Sequence, residues 1–157
     1  MAGISVGAAL LVIAFCAGGL AVVSTVADLR DDAAEAHEDR SLRDAACLEL
    51  EQRLNRLTPP GATTSPQARA TAVRDENAAA RIYVTQVRDR RAADGWRELV
   101  DARTAYAEGL DAQAKSRTPA FFVAPRTGDG RAVADDLARS SPEACAGPLR
   151  RLAAPDL

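Results

Sequence analysis

Ile4 to Val26, ISVGAALLVIAFCAGGLAVVSTV, contains no charged residue. As a helix it spans roughly 34 Å, against a bilayer hydrocarbon core of about 30 Å. Lipid offers no partner for backbone N–H and C=O groups, so a stretch of this kind must be helical. The residues ahead of it, Met-Ala-Gly, carry no Lys or Arg. The apolar run also exceeds the roughly 7–15 residues of a cleavable signal. Thr25-Val26-Ala27 leaves a cleavage site as the rival reading, and bulky Phe15 argues against a lipoprotein signal ending at Cys16. Residues 1–27 are therefore read as an uncleaved signal-anchor crossing the bilayer. Gly7, Ala14, Gly18 and Ala21 line one small-residue face, which allows a homodimer through the membrane helix. Chance in an Ala/Gly-rich chain accounts for the stripe as well.

Orientation divides the signals. Arg30, Arg40 and Arg43 follow the span and no cation precedes it, which favours a cytoplasmic C-terminal part. Cys47 and Cys145 point the other way. They are the two cysteines outside the span, and in an oxidising compartment one bond would tie the chain's end to its first helix. Such a bond closes a loop of about 100 residues, worth roughly 4–5 kcal/mol in the chain-entropy model. Two reduced, buried thiols in a cytoplasmic domain are the alternative. The reading adopted is a domain outside the cytoplasm of a bacterial cell, the bacterial source being suggested by abundant Ala and by Arg in place of Lys, with Lys115 the one lysine.

Beyond the anchor the sequence reads as helices. Aromatic residues are few and Ala is frequent, which favours helix over sheet. Residues 28–57 form a juxtamembrane helix, acidic at first and then carrying a seam of Cys47, Leu50, Leu54 and Leu57. Pro59, Pro60 and Gly61 stop it. Ser65-Pro66 opens a second helix to about residue 92, with Ala70, Val73, Asn77, Ala80, Val84 and Val87 on one face. Asp94 and Gly95 are read as the turn into a third helix, 95–117, whose face holds Trp96, Leu99, Arg103, Tyr106 and Leu110. The short link makes the two antiparallel. With the turn near residue 93, Ala80 faces Tyr106 and Val84 faces Arg103, and Asp44 or Glu51 is the expected acid for Arg103. Asp129 is expected to cap a short helix with Val133 and Leu137 inward. The fold class is all-α: a transmembrane helix continuing into an antiparallel three- to four-helix bundle, 66–152 being its remainder and 153–157 a loose tail.

Two places suggest function. Asn77, Arg103 and Tyr106 on facing helices could line a small-molecule pocket, or Asn77 could fix register. Phe121, Phe122 and Arg126 lie on a non-helical stretch, either as a recognition loop or as a plug on the bundle's open end. No catalytic signature appears. His37 is the one histidine and sits on the acidic juxtamembrane stretch. No CxxC, HExxH, P-loop or G-x-G-x-x-G is present. The carboxylates, including Asp75-Glu76, are assigned to outward faces. A net charge of −2 gives no field for nucleic acid. The expectation is a non-enzymatic envelope interaction or scaffold module without cofactor, its partners the bilayer and another envelope protein. A sensing bundle signalling through a partner and a cytoplasmic-facing adaptor are the alternatives.

Overall fold

The structure, a computed structural model, describes residues 34–116 and 118–155. The expected span 1–27, with Gly7, Ala14, Gly18 and Ala21, lies outside them. Among the described residues no helix is long and apolar enough to cross a membrane. The chain divides into two compact units, Met1–Ser41 and Leu42–Leu157. In the first, residues 34–41 are helical and exposed.

The described part is all-helical, with five helices packed as a bundle. Helix α1 covers residues 34–55. It ends two residues before the expected 57, where Arg56 N–H and Leu57 N–H turn back onto the carbonyls of Arg53 and Leu54. From Leu42 onward it buries Cys47, Leu50 and Leu54 on one face. A single turn, Pro60–Ala62, leads to α2, Pro66–Val84. The Ser65 hydroxyl accepts from Ala68 N–H at 3.2 Å and satisfies one of the orphan donors of the first turn. Helix α3, Arg90–Ser116, follows. Then come a non-helical segment, α4 (Val133–Ser140), a turn at Glu143–Cys145, and α5 (Ala146–Ala153).

The α2–α3 turn corrects the sequence expectation. Helix α2 stops at Val84 rather than 92, and α3 runs through Asp94 and Gly95 instead of starting there. The cap belongs to Asp89, whose carboxylate accepts from Ala92 N–H at 2.7 Å. Both aspartates lie ahead of an apolar helical face, and Asp94-Gly95 imitates a cap and turn. Gly95 instead allows close approach: a Cβ there would lie 3.1 Å from Leu137 Cδ2 of α4. Moving the turn slides the register by one heptad. Asn77 rather than Val84 faces Arg103, and Tyr83 meets Trp96 edge to face at 5.0 Å.

Asp129 does not cap α4. Ala132 holds that position, and the Asp129 carboxylate takes the Thr127 hydroxyl and pairs with Arg131 at 2.8 Å. Those bonds close a tight turn in which Gly130 has φ +83°, a conformation that costs a side-chain-bearing residue energy. Arg126 and Ala132 form an isolated antiparallel bridge across it.

The larger apolar cluster joins Cys47, Leu50 and Leu54 of α1 to Tyr83, Val84, Trp96, Leu99, Val133, Leu137, Leu149 and Leu152. A smaller one holds Ala70, Val73, Tyr106, Ala107 and Leu110 at the far end of the α2–α3 pair.

Candidate functional site

Arg103 falls on the buried seam of α3, where an unpaired guanidinium could not remain. Its side chain is 0 % exposed. Every polar atom of its head is engaged. Nε donates to Asn77 Oδ1 at 2.7 Å, Nη1 donates to the Leu152 carbonyl at 2.7 Å, and Nη2 pairs with Glu76 Oε2. Its acid is thus Glu76 of α2, not Asp44 or Glu51. Glu76 is 0 % exposed, against the expectation that it lies on an outward face. The Glu76 carboxylate takes a second cation, Arg151 Nε of α5, at 2.6 Å. Arg151 also donates to the Leu57 carbonyl at 3.2 Å. Asn77 donates to Thr104 Oγ1 at 3.2 Å and to the Val100 carbonyl at 3.4 Å. Burial pulls the Arg103 pKa below its ordinary value, while the Glu76 charge opposes that shift. The guanidinium stays charged because arginine's ordinary value lies so high.

This polar knot ties α1's end, α2, α3 and α5. Of the candidate pocket residues it brings Asn77 and Arg103 together and leaves Tyr106 out. Tyr106 packs in the smaller cluster, its ring edge to face with Phe122 at 5.9 Å. Glu76 and Arg151 are the members that sequence reasoning missed. An Arg on a core seam requires a buried acid, and Glu76 stands beside the seam residue Asn77. That pairing was the available signal.

Cys47 and Cys145 are joined in a disulfide, with Cα atoms 4.9 Å apart. Both are buried, and the Tyr83 hydroxyl lies 3.5 Å from one sulfur and 3.2 Å from the other. Burial raises the Tyr83 pKa.

The third feature is the segment between α3 and α4. Phe121 is 78 % and Val123 76 % exposed, whereas Phe122 between them packs inward against both apolar clusters. The two phenylalanines therefore have different positions: Phe122 covers the bundle and Phe121 faces solvent. Arg126, exposed, donates Nη1 to the Gly130 carbonyl at 2.7 Å and braces the turn. A groove of about 760 Å³ lies between the start of α3 and α4. Its charges are mixed, Arg91, Arg131 and Arg139 all converging on Asp136. Among the described residues, no three His, Cys, Asp or Glu side chains are grouped to hold a metal ion.

No protein-family model matches the chain, and neither does any curated protein or solved structure.

Proposed function

We propose that the protein is a membrane-anchored interaction module whose helical bundle lies outside the cytoplasm and presents the Phe121–Val123 segment to a partner in the bacterial envelope. The observation that carries this reading is the pair of exposed apolar side chains, Phe121 and Val123, on a bundle closed by a disulfide. Apolar side chains this exposed cost solubility, and a cluster of them marks a contact surface. The disulfide supports an oxidising compartment. The uncharged run Ile4–Val26 supports the anchor. A sensing role through Asn77 and Arg103 has less support, because their polar atoms are spent on the knot.

The test joins topology to contact. A compartment reporter fused after Leu57 in the full chain is expected to report the outside, and a cytoplasmic signal would favour the adaptor instead. A photo-crosslinking side chain at Val123 in native membranes is expected to give a discrete adduct. Phe121→Ser should abolish that adduct and leave thermal unfolding unchanged. An adduct indifferent to Phe121→Ser would remove the interaction reading.

A further inference from the structure

Residues 120–124 share features that exposed side chains alone do not explain. They belong to no helix, and burial alternates from Ala120 to Val123: Ala120 and Phe122 are half-buried, Phe121 and Val123 exposed, and Ala124 after them is exposed as well. This period of two is that of a strand. The N–H and C=O groups of Phe121, Phe122, Val123 and Ala124 have no hydrogen-bond partner among the described residues. The segment is pinned at its ends, where Ala120 N–H donates to Gln113 Oε1 at 3.0 Å and the Pro125 carbonyl accepts from Val133 N–H at 3.0 Å. It is therefore a fixed piece of chain whose peptide groups are unpaired among the described residues and whose side chains alternate as far as Val123, as at an open sheet edge.

Three occupants could cover such an edge. A bilayer would accept Phe121 and Val123 but would leave a run of peptide groups unpaired in hydrocarbon. A second copy would pair peptide groups, yet a stable dimer buries at least about 1,200 Å², and two exposed side chains per copy fall well short of that. It would also bring like charges together. Between Asp111 and Asp129 the chain holds Lys115, Arg117 and Arg126 and no acid. An acidic strand from another protein satisfies both the peptide groups and the charge.

We infer that residues 120–124 form a β-addition site for an extended acidic segment of a partner protein, one with apolar residues at alternate positions. This rests on the interaction reading above and names its mode. Main-chain pairing supplies the affinity, while Phe121 and Val123 select the apolar positions. Lys115 and Arg126 are both exposed and favour the acids. Pro119 and Pro125 lack N–H donors and limit the ladder to the residues between them.

The experiment uses the full chain in phosphatidylcholine nanodiscs and three labelled seven-residue peptides. One alternates valine with glutamate, one replaces each glutamate by lysine, and one breaks the acidic peptide with a central proline. The glutamate peptide is expected to bind at least about tenfold more tightly than either control, as charge selection and strand pairing together require. It should slow amide exchange at Phe121–Ala124, and Phe121→Ser and Val123→Ser should each weaken it. Equal binding of all three peptides, no binding, or unchanged exchange would overturn the inference. So would self-association that Phe121→Ser abolishes, or quenching of a Phe121→Trp chain by brominated lipid in anionic nanodiscs. If the peptides fail while the Val123 adduct persists, the interaction reading stands and the strand mode falls.

Discussion

Glu76 sits fully buried between Arg103 and Arg151, so its removal strands a guanidinium in the core. Glu76→Gln should cost about 3–5 kcal/mol, the range for breaking a buried pair from one side. Replacing the fully buried pair, Glu76→Leu with Arg103→Met, should recover part of that loss, because only the part-buried Arg151 is then left without its acid. Recovery stays partial, since Asn77 Oδ1 and the Leu152 carbonyl lose their donor. Denaturant midpoints of the two variants decide between these outcomes. Tyr83 carries a pH prediction. Burial raises its pKa, so the folded state holds the phenolic proton where the unfolded chain releases it. The resulting stability is whole below the ordinary value of 10.0 and falls as pH rises from there through the raised folded value. Tyr83→Phe should remove that fraction of the alkaline decline in unfolding midpoint. The sequence showed Arg103 on the seam but not its partner. Glu76 follows outward-facing Asp75, and only the register of α2 on α3 turns it inward.

Among the elements, the faces of α1, α2 and α3 could be read from their spacing: Cys47, Leu50, Leu54, Ala70, Val73, Asn77, Ala80, Val84, Trp96, Leu99, Tyr106 and Leu110 are all buried. Where α2 gives way to α3 could not be, because two aspartates compete for the cap and their difference is decided by α4. Leu137 and Val133 press on α3 where Gly95 leaves room. Asp89→Ala should therefore cost about 1 kcal/mol, the usual value of a lost N-cap. Asp94→Ala should cost less, as its exposed side chain pairs with Arg97 alone among the described residues, at 2.5 Å. Urea unfolding of both variants would reverse that order if the helix began at residue 95. The segment after α3 was legible only as non-helical. The opposite fates of Phe121 and Phe122 depend on where Tyr106 presents its ring.

For the molecule as a whole, α4 and α5 are each eight residues, too short to hold themselves. They rest on the apolar cluster, the polar knot and the Cys47–Cys145 bond. That bond spans 98 residues, and the chain-entropy model assigns it about 4.7 kcal/mol. Reduction, or Cys47→Ala with Cys145→Ala, should lower stability by an amount of that order. The unfolding midpoint with and without reductant measures it. An unchanged midpoint would mean that Arg151 and Leu152 suffice to dock α5.

The same bond changes how the protein answers a pull. Tension applied to the chain before Cys47 and after Cys145 passes directly through two sulfur atoms. The chain between them, whose ends are 98 positions apart in sequence, bears none of it. Fully drawn out, that stretch would add roughly 330 Å, at about 3.4 Å per residue. While the bond is intact this length stays hidden and Phe121 and Val123 keep their setting. A thiol reductant would convert a stiff tether into a long, extensible one.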